Sequence, residues 1–159
     1  MNNPILQVLR WWALRRHRST APTSLLPMKE VRRAAVFIDG LAGGEDPAVT
    51  GRLIQRKLAD RGIEVQLLCA QKQDLDWLGR LKDAQRGAGG EDLFLSMSTR
   101  ADCFAAEYEA RCRTARFKVG RRPLDGGIYD LVVADPEPTE PQGDAQAFAS
   151  ILEILDKIQ

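Results

Sequence analysis

The sequence predicts a Rossmann-like α/β domain, a three-layer sandwich with about five mainly parallel strands, preceded by a basic amphipathic helix. Apolar runs of strand length alternate with segments of helical periodicity from residue 34 to the end. The strand runs are continuously apolar, which is typical of strands covered on both faces. The first thirty residues follow a different pattern, rich in arginine and then in Ser, Thr and Pro.

Length and composition favour a single domain with an appendage. The chain has 159 residues, of which 44% are hydrophobic and 28% charged, as in ordinary globular proteins. We predict a helix over residues 1–18, a linker over 19–30 and the α/β domain over 31–159.

The N-terminal helix is predicted from its ends and its spacing. Pro4 suits a first helical turn, and the cations after Leu14 suit the last one. The apolar side is predicted to carry Ile5, Val8, Leu9, Trp12 and Arg16, with Trp11 and Arg15 at its edge. Such a helix needs a surface to cover, and three would suit it: its own domain, a lipid headgroup layer, or RNA.

Charge favours an anionic partner for this arm. Residues 1–33 hold seven Arg or Lys and one acid, whereas the remainder holds 16 basic and 21 acidic residues. The residues predicted to contact a membrane surface or an RNA or ribosome are Arg10, Arg15, Arg16, Arg18, Trp11 and Trp12. A solvated charged face is the plain alternative.

Within the domain, strands are predicted at residues 34–38, 63–69, 92–97, 115–119 and 128–134. The helix after the first strand begins at Pro47 and ends before Gly62, a residue suited to terminating it. A further helix is predicted over 101–113, and the last begins with Asp144 as its cap. The strand order that we predict is 2-1-3-4-5.

Residues 70–90 lack clear periodicity and are predicted to be mostly loop. Trp77 is an aromatic side chain in this polar segment, as a stacking residue or an anchor for a protein partner would be. The alternative is that it folds inward and covers the sheet edge.

A ligand site, if present, belongs at the carboxyl ends of the strands. There the sequence has Asp39, Gly40, Gly43 and Gly44, with Ser96 and Asp135 following later strands. Glycine N–H groups before the Pro47 helix would suit an anion, but Glu45 and Asp46 would repel a phosphate, and no phosphate-loop motif is matched. A plain turn with a capped helix, and caps or turn formers at the other positions, is the competing interpretation.

Several catalytic designs are disfavoured. The single histidine, His17, lies in the arm, which argues against Ser-His-Asp or Cys-His chemistry on the domain. Cys69, Cys103 and Cys112 lack CxxC spacing and are predicted to be reduced thiols. No metal or cofactor is predicted. A second basic cluster would extend the footprint of the arm or pair with acidic loops: Arg111, Arg113, Arg116, Lys118, Arg121 and Arg122.

Residues 72–79, 115–120, 129–135 and the closing helix, in this order and spacing, resemble an uncharacterised bacterial family typical of Bacteroidota, classed as a domain of unknown function. The resemblance spans most of residues 31–159. It implies the α/β fold behind a basic N-terminal segment, and no catalytic residues. Residues 92–120 are also weakly similar to the N-terminal half of heptosyltransferase-like glycosyltransferases, whose nucleotide-sugar-binding half has no counterpart here.

Together these observations favour a non-enzymatic binding or adaptor protein docked through its N-terminal helix. A nucleotide-binding or other small-ligand protein, enzyme or not, using the turn from Asp39 to Asp46 is the alternative. The mostly apolar segment at residues 5–14 is ten residues long, which is too short to cross a bilayer, and most of the charges follow it. We predict a cytoplasmic protein, or one peripheral at the inner membrane.

Overall fold

The computed structural model describes residues 3–16, 25–41, 46–86, 89–134 and 143–158. It contains five α-helices and five β-strands within those ranges. In chain order these elements are α1 (Pro4–Arg16), β1 (Arg33–Asp39), α2 (Pro47–Ala59), β2 (Glu64–Ala70), α3 (Asp83–Arg86), β3 (Leu93–Ser96), α4 (Phe104–Cys112), β4 (Phe117–Gly120), β5 (Leu131–Val132) and α5 (Asp144–Asp156).

The strands form one parallel sheet in the order β2-β1-β3-β4-β5, which confirms the predicted fold class and strand order. β1 lies between β2 and β3, and its Val36 pairs with Leu67 of β2 and with Leu95 of β3. Six of its seven residues are buried, which explains its unbroken apolar sequence.

Helices cover both faces of the sheet. On one face, α2 and α5 pack on the side chains of Val36 and Ile38 through residues such as Ile54 and Phe148. On the other face, α4 packs on Phe37 and Phe94 through the alanines 105, 106 and 110. These small residues let a helix lie close to the large aromatic side chains of the strands. α1 lies outside α4 and contacts it.

Three sequence predictions need correction. The last strand is predicted over residues 128–134, but β5 comprises only Leu131–Val132. The N–H of Asp130 donates to the carbonyl of Lys118, but the N–H of Lys118 donates to the Asp130 carboxylate at 2.8 Å in place of a backbone carbonyl, so the ladder does not continue toward residue 128. Asp144 does not cap α5: Gly143 is the cap, and the Asp144 carboxylate accepts a hydrogen bond from Arg121 at 3.0 Å.

The third correction concerns the predicted linker 19–30, which overlaps the core, since Leu26 is buried there and residues 28–30 form a 3₁₀ turn.

The connection between β4 and β5 brings Tyr129 back over the end of β4. A Cβ atom at Gly120 would lie 2.3 Å from the Tyr129 ring, so only glycine leaves room for the ring at that point. Tyr129 therefore closes the sheet edge where β3 and β4 end.

Candidate functional site

The first candidate site is the edge where β1 and β3 end, the point at which the strand order changes direction. Asp39 ends β1, and its side chain is only 4% exposed. Arg100, in the loop after β3, donates to both carboxylate oxygens, Nε to Oδ2 at 2.6 Å and Nη2 to Oδ1 at 3.0 Å. This is a bidentate charge-assisted pair, a strong form of hydrogen bonding.

The carboxylate of Asp39 also accepts hydrogen bonds from two other groups. The backbone N–H of Leu41 donates to Oδ1 at 3.1 Å, and the Ser98 hydroxyl lies 3.4 Å from Oδ2. The hydrogen bond to Asp39 raises the pKa of Arg100 and outweighs the effect of burial, so the guanidinium stays charged. Asp39 thus holds the loop after β3 in place.

Gly40 has a packing role. Its N–H donates to the carbonyl of Ala70 at 2.9 Å, and a Cβ there would lie 2.7 Å from the same oxygen. Asp46 caps α2 by accepting from the N–H of Ala48, as in the plain-turn interpretation. The other predicted positions in these loops, Gly43, Gly44 and Asp135, lie outside the described residues.

Behind the ion pair is a small cavity of about 80 Å³, lined in part by Ser96, Ser98, Cys103 and Tyr129. Burial raises the pKa of Tyr129 to about 12, and burial together with the Asp39 charge raises the pKa of Cys103. Both groups are therefore protonated at neutral pH. Pockets for drug-sized ligands have volumes of about 300–1,000 Å³, so this cavity is too small for a nucleotide.

The second candidate site is α1, whose inner face is fixed to the domain. Ala13 is buried with Leu78, Phe104 and Tyr108, and Leu6 and Leu14 pack against this cluster. The side chain of Arg10 points the same way: Nε donates to the carbonyl of Leu78 at 2.8 Å, and the guanidinium lies 5.0 Å from the centre of the Phe104 ring. Arg10 therefore anchors α1 and is not on its exposed face.

The opposite face of α1 is apolar and exposed. Ile5 is 70% exposed and Val8 63%, and Trp11 and Trp12 are each more than half exposed. Except for Trp11, at its edge, these residues belong to the apolar side that the sequence spacing predicts, but the domain packs on the other side of the helix. Arg15 is exposed and lies 4.4 Å over the ring of Trp11. The side chain of Arg16 and all of Arg18 lie outside the described residues.

A groove of about 500 Å³ runs between α1, the start of α4 and the turn at Gly126. Arg10 and Arg111, two of the three described cations that line it, already have polar partners, and the third, Arg15, lies over the ring of Trp11. Arg111 pairs with Glu107 at 3.1 Å and donates to the carbonyl of Asp125, and Arg10 is held as described above. The groove is therefore balanced in charge and is not built for an anion.

Most side chains of the second basic cluster, residues 111–122, have partners within the domain. This agrees with the alternative that the cluster pairs with acidic residues of the domain. Arg113 contacts Glu109 and Glu91, and Arg121 contacts Asp144. Lys118 is buried and donates to the carbonyl of Ala110. These contacts fix α4 and α5 to the sheet.

Comparison with protein-family models gave no match, and comparisons with curated proteins and with solved structures gave none either. No residue role is therefore transferred from a relative, and the resemblance to the Bacteroidota family stays a prediction. Among the described residues, no cluster of three or more His, Cys, Asp or Glu side chains is arranged to hold a metal ion. No described helix is both long and apolar enough to cross a bilayer.

Sequence reasoning missed the two residues that define the edge of the sheet, Arg100 and Tyr129. Arg100 follows Ser96, the last residue of β3, and shares a loop with Ser98, so the sequence does place a cation near the strand end where the carboxylate of Asp39 is predicted. Tyr129 falls within the strand predicted over residues 128–134, and no local pattern in the sequence indicates its position over Gly120.

Proposed function

We propose that the protein is a non-enzymatic adaptor that docks on an anionic membrane surface through the exposed face of α1. The observation that supports this most directly is the two-sided character of the helix. One apolar face packs on α4, and the other remains in solvent. An exposed patch of large apolar side chains is typical of an interaction site, so the second face needs a cover.

The chemistry of that face favours a lipid interface. Ile5 and Val8 are aliphatic, Trp11 and Trp12 are amphipathic, and Arg15 adds an exposed positive charge. Tryptophan is favoured at the headgroup level, and arginine is attracted to anionic lipids. An RNA surface would use the cation and stack on the indoles, but it has no counterpart for the exposed aliphatic side chains.

The energies are sufficient for reversible binding. Burying each of these half-exposed apolar side chains contributes roughly 1 kcal/mol, and each cation near an anionic surface contributes about the same. Residues 3–16 contain three arginines and no acid, so no carboxylate on the helix opposes the attraction. Because α1 is already folded on the domain, binding does not have to order it.

A small-ligand function for the Asp39 edge has less support. Arg100 already occupies both oxygens of the carboxylate, and the adjoining cavity is about 80 Å³. We therefore propose that this edge stabilises the fold.

The proposal is tested by removing the outer face without touching the inner one. The variant carries Ile5→Gln, Val8→Gln and Trp12→Gln, since glutamine keeps helix propensity. In flotation with vesicles of phosphatidylcholine and phosphatidylglycerol, we expect its affinity to fall about a hundredfold relative to the unsubstituted chain.

The matched control is Val49→Gln, which alters an exposed apolar residue of α2 and should leave flotation unchanged. Equal flotation of the triple variant and the unsubstituted chain would disprove docking through this face. Capture of the full chain on ribosomes, lost on nuclease treatment, would assign the arm to RNA instead.

A further inference from the structure

The chain contains three tryptophans, and all three are more than half exposed: Trp11 at 54%, Trp12 at 53% and Trp77 at 73%. Tryptophan is highly buried on average in globular proteins, so exposure of every copy is unusual. Two of them lie on α1 and the third lies on the turn at residues 76–80. The role of α1 alone does not explain the third.

The turn that presents Trp77 is closely held. The Asp76 Oδ1 atom accepts hydrogen bonds from the N–H groups of Leu78, Gly79 and Arg80 at 2.9–3.0 Å. Its Oδ2 atom accepts from Arg80 Nε at 2.9 Å. Leu78, the next residue after Trp77, is buried. The indole is therefore exposed by a fixed backbone and not by a loose loop.

This turn also lies directly against α1. The carbonyl of Leu78 accepts from Arg10, and the Leu78 side chain packs in the cluster that holds Ala13. Gly79 has φ +101°, and a Cβ there would lie 2.6 Å from Arg10 Nη2. The Trp77 turn therefore packs directly on the inner face of α1, and the exposed indole lies one residue from that contact.

We infer that Trp77 is a second insertion point for the same anionic bilayer that receives α1. This inference rests on the proposed function. An indole combines a large apolar body with one N–H donor, which suits the boundary between headgroups and acyl chains. Insertion from two adjacent elements would orient the domain on the membrane, whereas a single helix leaves it free to rotate about the helix axis.

Depth-dependent quenching tests the inference. The variant Trp11→Phe, Trp12→Phe leaves Trp77 as the sole tryptophan, and Trp77→Phe leaves the α1 pair. With phosphatidylcholine and phosphatidylglycerol vesicles whose acyl chains are brominated, we expect the fluorescence of both variants to be quenched in the bound fraction recovered by flotation.

Trp77→Ala in the otherwise unchanged protein should bind these vesicles about tenfold more weakly, with its melting temperature preserved because the side chain packs little. An unchanged affinity would overturn the inference, as would bound protein whose Trp77 is not quenched. Failure of the proposed function is a different result: the unsubstituted chain itself would not float.

Discussion

Asp39 is a carboxylate at the end of a central strand, where burial removes most of its water. Such a group requires partners, and Arg100 supplies two hydrogen bonds and a compensating charge. Because the arginine belongs to the loop after β3, the pair joins the ends of β1 and β3. The position most suited to a ligand is thereby used to fasten two loops.

Arg100→Ala is expected to lower the free energy of unfolding by about 2–3 kcal/mol, because it leaves a buried carboxylate without its cation. Urea denaturation followed by circular dichroism measures the loss. Arg122→Ala is the matched control, since Arg122 is exposed and, among the residues that the structure describes, donates to the carbonyl of Thr99. Equal, small effects of both substitutions would show that the Asp39 pair does not hold the edge.

The location of Asp39 was predictable from the sequence, but its use was not. An apolar run followed by Asp-Gly indicates a strand end at the sheet's carboxyl edge. The partner of the carboxylate depends on the path of the loop from Met97 to Asp102, which no local pattern specifies. The same limit applies to Tyr129, whose position depends on the absence of a side chain at Gly120.

At the scale of elements, α1 has two apolar faces, of which one packs on the domain and the other stays exposed. The spacing of Ile5, Val8 and Trp12 predicted the face that proves to be exposed. The packed face has a shorter apolar series, Leu6, Ala13 and Leu14, supplemented by the aliphatic stem and guanidinium of Arg10. Periodicity identifies apolar faces, but it does not say which one the domain covers.

Deletion of residues 1–16 should lower the melting temperature by roughly 5–10 °C, because it exposes Leu78, Phe104 and Tyr108. Differential scanning calorimetry gives the measurement. The triple glutamine variant of the outer face is the control and should melt within about 2 °C of the unsubstituted chain. An unchanged melting temperature after deletion would mean that α1 does not pack on α4 in solution.

For the whole molecule, the strand order and the two helical layers follow from general rules for parallel sheets. Continuous apolar runs predicted β1 and β3, and their lengths agree with strands buried on both faces. β5 was overestimated because the apolar residues of 128–134 include Ile128 and Tyr129, which pack at the sheet edge. The sequence therefore predicts the layers of the fold, but it does not predict that Tyr129 covers the end of β4.

Charge and exposed apolar surface are distributed unevenly over the chain. The basic arm holds the outer face of α1, and the acidic remainder carries the sheet and its helices. An anionic membrane would attract the first and repel the second, which favours one orientation of the domain at the surface.

The most direct test of the account is a binding titration of the unmodified, full-length chain with vesicles of phosphatidylcholine alone and with vesicles that also contain phosphatidylglycerol. We predict binding to the anionic vesicles, at least tenfold weaker binding to the neutral ones, and a loss of affinity as the salt concentration rises. Absence of binding to the anionic vesicles at low salt would contradict the account.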